Sequence, residues 1–264
     1  MGKLTDVPTP HVEPRRYRIV ADELRRRITD GAIPPGSLLP SESALMAEFS
    51  VARGTVREAL ALLRAEGLTV AEKGRGTYVR PVVPVRRLGS ERYRVELDQV
   101  RNGELGTAFT VDQQVAWSAY TLDREFREIP AAAPVAGLFG VPPGTMLLER
   151  RFVFRTRGVP QQMSTSYLLL SMVAGTPVAD PANEPWPGGN TSQLHSLGHD
   201  VTAVREQVSA RMPLPTEIQT LRIPAGIPVV AITRQTYVDD VVVEVADIVL
   251  PGDRVRLDYL IDLA

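Results

Sequence analysis

The chain of 264 residues contains no cysteine, which excludes disulfides, thiolate zinc sites, iron–sulfur clusters and cysteine nucleophiles. Its three histidines, His11, His195 and His199, leave little for imidazole chemistry. His195 and His199 stand four apart, as helical metal ligands do, but Gly198 lies between them and Asp200-Val201 begins an extended run, so no metal and no cofactor is expected. There is no Gly-x-Ser-x-Gly nucleophile elbow and no phosphate-binding loop. No apolar run approaches the roughly 18 residues of a membrane-spanning helix. Residues 1–13 have no apolar export segment and read as a flexible tail, so the expected location is the cytoplasm, with no membrane partner. Lysine is confined to Lys3 and Lys73; the other basic residues are arginine.

What is present is ordinary for a soluble globular chain: 44% hydrophobic and 23% charged residues, with a net charge of -1. That length can bury one large core or two smaller ones. The charge is uneven. Residues 13–80 carry 12 Lys/Arg against 9 Asp/Glu, and residues 81–264 carry 17 against 21. A basic segment followed by an acidic one points to two domains with different partners. Between them, Pro81 and Pro84 interrupt a run without helical period, and 81–107 reads as a linker.

In residues 14–80, Tyr17, Val20, Leu24 and Ile28 share one helix face, with Gly31 as a stop. Ser41 is placed as N-cap of a second helix whose Leu45 and Phe49 point inward. After the break at Ser50-Val51-Ala52, a third helix from Arg53 to Glu66 carries the stripe Val56, Ala59, Leu60, Leu63. Two helices joined so tightly form a helix-turn-helix. Arg53, Thr55 and Arg57 occupy the first turns of its last helix, the end that enters a major groove in this motif. Arginine suits that place, because its planar fork matches guanine edges and phosphates. Thr69–Ala71 and Thr77–Val79 then make a hairpin tipped by Lys73, Gly74, Arg75 and Gly76, a wing able to press against DNA. The alternative is a charged three-helix domain used for protein contact.

The blocks Tyr17–Leu24, Gly31–Glu42, Val51–Leu60 and Gly74–Val79 resemble, in order and spacing, the winged helix-turn-helix of GntR-family transcription regulators. The resemblance implies DNA contacts at Arg53, Thr55, Arg57, Lys73, Gly74 and Arg75. Where the family often has arginine after the Ser-Glu pair, this chain has Ser43.

The remaining chain reads as an α+β domain with a mostly antiparallel sheet: strands near 145–156, 161–168, 201–208, 228–238, 241–249 and 255–261, and short helices near 135–139, 192–197 and 216–221. Two stretches echo each other. Leu138 leads to Val141-Pro142-Pro143-Gly144 and a strand with Arg151; Leu221 leads to Ile223-Pro224-Ala225-Gly226 and a strand with Arg234. A degenerate repeat would put Arg151 and Arg234 at corresponding positions.

Residues 108–264 resemble the UTRA effector-binding domain of the HutC subfamily, on Pro134–Gly144, Arg151, Gly158-Val159-Pro160, Thr165–Leu168, Ala210–Pro213, Gly226–Val229, Arg234 and Glu244. The resemblance implies a chorismate-lyase-like fold, a homodimer, and a small-molecule effector pocket lined by Arg151, Thr165, Ser166, Tyr167 and Glu244. The expected function is a DNA-binding repressor, not an enzyme, released from a palindromic operator on duplex DNA by its effector. The alternative is a lyase-like enzyme fused to a DNA-binding module.

Overall fold

The structure is a computed structural model and describes residues 15–72, 74–80, 85–89, 91–102 and 106–259. The expected tail at 1–13 lies outside the described residues. Contacts divide the chain into two units, Met1–Val82 and Val83–Ala264.

In the first unit, α1 (Arg16–Thr29), α2 (Glu42–Phe49) and α3 (Arg53–Ala65) are followed by the antiparallel hairpin β1 (Thr69–Glu72) and β2 (Gly76–Val79). Ser41 caps α2, its Oγ accepting from the Ala44 N–H at 3.1 Å. Ser50 ends α2 in the left-handed region at φ 51, which turns the chain sharply into α3. Val20, Leu24, Leu45, Val56, Ala59 and Leu63 are all 0–1% exposed and form one core. Each fully buried aliphatic side chain adds about 1.5–3 kcal/mol. The wing is fastened to the same core. Val79 is buried, a bridge joins Leu38 to Tyr78, and a Cβ on Gly76 (φ +114) would lie 2.8 Å from Leu38 Cδ1.

The second unit begins with β3 (Val85–Leu88), α4 (Glu91–Asn102) and α5 (Ala108–Gln113). The expected linker at 81–107 is therefore structured over much of its length. β3 pairs in parallel with β10 (Val255–Asp258), and α4 turns Arg92 and Glu96, spaced i and i+4, into the interior. A helix whose buried face carries charges has no apolar period to detect.

Next come β4 (Tyr120–Pro130), α6 (Ala133–Phe139), β5 (Met146–Thr156), β6 (Val159–Leu169), α7 (Leu170–Val173), α8 (Gly189–Ser196), β7 (Ala203–Arg211), α9 (Pro215–Leu221), β8 (Val229–Val238) and β9 (Val241–Pro251). The six long strands form one antiparallel sheet in the order β4-β5-β6-β9-β8-β7. That order reads as two copies of a three-strand unit, 4-5-6 and 7-8-9, joined through their last strands. α6 packs on β9 and α9 on β6, so each half covers the other's final strand. The two halves of the echo thus have equivalent places in the sheet. Arg151 and Arg234, however, do not correspond. Thr165 and Asp247 face each other across the centre; Arg151 pairs with Thr165, and Thr233 with Asp247. Arg151 thus matches Thr233, and Arg234 lies one residue away on the opposite sheet face.

Candidate nucleic-acid interface and ligand cavity

The stripe Val56, Ala59, Leu60, Leu63 fixes the rotation of α3, and its first turn is left pointing outward. Arg53 and Arg57 keep 61% and 64% of their side-chain surface exposed. Thr55 is half-buried between them. Both arginines lean on one carboxylate: Arg57 Nε donates to Glu42 Oε1 and Oε2 at 3.1 and 3.2 Å, and Arg53 Nε lies 3.7 Å from Oε2. Glu42, at the start of α2, is thus a positioning group that the Ser41-Glu42 motif carried without revealing its partner. An exposed pair of this kind is worth about 0–1 kcal/mol, so nearby phosphates can compete for the arginines.

On the wing, Gly74 is at φ +80 with open space where a Cβ would be, and Arg75 is exposed. The Arg75 guanidinium reaches Glu72 at 2.8 Å and stands 5.7 Å from the Tyr78 ring centre. Lys73 lies outside the described residues.

In the second unit, strand alternation decides which expected residues meet. Arg150 and Arg234 lie on one rung that crosses the whole sheet: Phe126, Arg150, Ser166, Ala246, Arg234, Glu206. This rung looks onto a cavity of about 90 Å³ roofed by α4, α5 and α8 and lined by Ser166 and Glu244, among others. Arg151, Thr165 and Tyr167 are on the other face, so the five expected pocket residues do not share one cavity. Arg151 is 49% exposed and pairs with Glu149 at 3.0 Å. Tyr167 packs with Leu147, Phe139 and Val245 under α6. Thr165 borders a separate groove with Asp247 and Arg211. Of the adjacent pair Arg150 and Arg151 it is Arg150 that faces this cavity, because on a strand one position reverses the side.

Arg150 is 1% exposed. Its Nη1 donates to Gln193 at 2.7 Å, and its Nη2 to Ser166 at 2.8 Å and Asn190 at 2.9 Å. The rings of Phe152 and Phe126 stand 5.7 and 5.9 Å from the guanidinium. Burial pulls this guanidinium below its ordinary pKa, with Glu244 opposing. Glu244 accepts from Arg234 at 3.0 and 3.2 Å, Ser166 at 2.7 Å and Thr236 at 2.9 Å. Burial would raise that carboxyl; the two arginines and two hydroxyls outweigh it and hold it low. Glu96 is driven the other way, burial pushing it up to about 7 against Arg92 and Arg234. The far wall is apolar: Phe109, Tyr120, Leu122, Phe152 and Phe154. A cavity with a charged end and an aromatic end suits a small molecule of matching polarity. Among the described residues no group of three His, Asp or Glu is placed to hold a metal ion, and no helix is long and apolar enough to cross a membrane.

Comparison with known proteins bears on both units. Residues 16–79 match the model of bacterial regulatory proteins of the gntR family, and residues 121–256 match the UTRA domain. An HTH-type transcriptional regulator of Streptomyces coelicolor is 31% identical over 249 residues, covering 92% of this chain and 91% of that one. The chain belongs to the GntR family of bacterial regulatory proteins. It is a DNA-binding transcription regulator with a UTRA domain. A crystal structure of a GntR-family transcriptional regulator aligns with a TM-score of 0.65 and 30% identity over 96% of this chain and 99% of that one. The fold is also that of PhnF from Mycobacterium smegmatis, with a TM-score of 0.53 and 24% identity over 93% of this chain and 100% of that one. The histidine utilization repressor of Pseudomonas putida is 27% identical over 92% of this chain and 90% of its own length.

Proposed function

We propose that this GntR regulator is a repressor, acting as a homodimer in the cytoplasm, that leaves a palindromic operator when a small molecule enters the cavity under α4, α5 and α8. On this reading Arg53, Thr55 and Arg57 read bases and phosphates in the major groove, while Lys73, Gly74 and Arg75 approach the minor groove. The effector contacts are Arg150, Ser166, Arg234 and Glu244, in place of the Arg151, Thr165 and Tyr167 expected from sequence. The observation that carries the reading is Arg150, a buried guanidinium at a cavity wall whose hydrogen-bond partners are all neutral and whose nearest carboxylate, Glu244, stands 3.7 Å away and is shared with Arg234. A charge so placed is costly unless something binds to it. Effector binding shifts the dimer population away from the half-site spacing the operator requires.

The repressor names borne by relatives support the sign of control and a binding role over lyase-like catalysis. The test is a metabolite screen by thermal shift, because a ligand of the folded form raises Tm, followed by operator release. A hit recovered chemically unchanged that frees the operator supports an effector; a hit converted to product makes the domain an enzyme. A hit that tightens operator binding reverses the sign of control.

A further inference from the structure

Three carboxylates line the cavity, and they are not equivalent. Glu244 has four donor contacts. Glu184 accepts from the Trp186 N–H at 2.9 Å and Gln193 Nε2 at 2.7 Å. Glu96, 5% exposed, has no side-chain donor among the described residues; the Ala108 backbone N–H is its one bonding partner. It is held close against α8: a Cβ on Gly189, at φ +57, would come within 2.5 Å of Glu96 Oε1.

The cations mirror this. Of the three lining arginines, Arg92 is paired with Asp112 at 2.9 Å and Arg234 with Glu244 at 3.0 Å. Arg150 is left with Glu244 at 3.7 Å and with Glu184 one step away through Gln193. The Nε donors of Arg92, Arg150 and Arg234 are buried without an acceptor. The buried Nε groups leave the site with donors to spare, and Arg150 shares its nearest carboxylate, Glu244, with Arg234, so a singly charged acceptor gives Arg150 a direct partner with the least added negative charge. The apolar wall asks for a carbon body behind that charge.

A second negative charge in this enclosed space acts on every carboxylate there. Around Glu96 stand Arg92 on its own helix, Asp112 on α5, Arg150 on β5, Glu184 in the loop before α8, Arg234 on β8 and Glu244 on β9; α8 presents only Asn190 and Gln193. Glu244 is held in the charged form by its donors. Glu96 is the group free to take a proton.

We propose that the cavity receives a small organic carboxylate with its charge against Arg150, and that Glu96 takes up one proton from solvent as the carboxylate enters. An O–H bond forms on Glu96, no bond of the ligand breaks, and the net charge of the site is unchanged. The inference rests on the effector reading and deepens it. Free Glu96 titrates near 7. Carboxylate affinity accordingly falls on the order of tenfold per pH unit above that value, until the titration of the bound form is reached.

The probes are propionate and benzoate, both fully ionised above pH 6, with benzamide as neutral control. Binding is followed by thermal shift from pH 6 to 9. Calorimetry at pH 7.5, in two buffers of different ionisation enthalpy, counts protons on the wild-type chain without relying on a variant. The expected result is stabilisation by at least one carboxylate, stronger at pH 6 than at pH 9, with net proton uptake. Glu96→Gln should keep binding and lose both the uptake and the pH slope; Arg150→Met should lose binding. Absence of carboxylate binding at every pH, binding without proton uptake, or an unchanged slope in Glu96→Gln overturns the proposal. If a neutral compound instead releases the operator through this cavity, the effector reading stands and the carboxylate proposal fails. If no small molecule affects operator binding, both fail.

Discussion

Arg150 and Glu96 are charges in places where burial works against them, and each has a measurable consequence. In the folded chain the Glu96 carboxyl titrates near 7 against an ordinary 4.5. The folded form therefore holds this proton more tightly than the unfolded form. The stability it contributes is full below pH 4.5 and is lost as pH rises through 7, about 3 kcal/mol in all. Glu96→Gln should remove that slope, so that the variant's Tm overtakes the parent's as pH passes from 5 to 8; parallel curves would refute it. At the other end of the chain, Arg57→Ala should weaken operator binding by about 1–3 kcal/mol while leaving ligand-induced thermal shifts intact. Simultaneous loss of both would show that the substitution damages more than the interface. The outward placement of Arg53 and Arg57 was legible in sequence because a helix stripe fixes which residues point outward. The inward placement of Arg150 was not, since neighbouring arginines on a strand differ only in the side they face, and nothing local says which side holds the cavity.

At the scale of elements, the strongest sequence signals were apolar periods with caps. α1, α2, α3 and the hairpin could be placed within a residue or two because Ser41 and Gly31 punctuate clear stripes. Leu63, fully buried in that core, should cost about 2–5 kcal/mol when changed to Ala, lowering the denaturation midpoint of the first unit. A loss under 1 kcal/mol would mean the stripe does not form the core. α4 and β4 leave weak signals in the sequence for related reasons. α4 buries Arg92 and Glu96, and β4 is an edge strand whose charged residues, Asp123, Arg124, Glu125, Arg127 and Glu128, mask its alternation. Such charges suit an edge, where they discourage pairing with a second sheet. The repeat was visible as an echo of Pro-Gly turns, but its register was not, because one residue of slippage exchanges Arg234's partner position from Phe152 to Arg151.

For the molecule as a whole, a basic first segment and an acidic remainder correspond to a unit that meets DNA and a unit that holds a cavity. The modest charge difference would not by itself bring a protein to DNA; the exposed arginines of α3 and the wing concentrate it. With 6–10 phosphate contacts in a bound dimer, affinity should fall by roughly 10³–10⁵-fold between 50 and 200 mM salt. The most direct test is a fluorescence-anisotropy titration of the purified chain against duplexes selected from its own genome and against scrambled duplexes of equal length, at 150 mM salt, before and after addition of a ligand found by thermal shift. The account predicts tight, salt-sensitive binding to a palindromic duplex, at least a thousandfold weaker binding to the scrambled one, and release when the ligand is added. Equal affinity for both duplexes, with or without ligand, would contradict it.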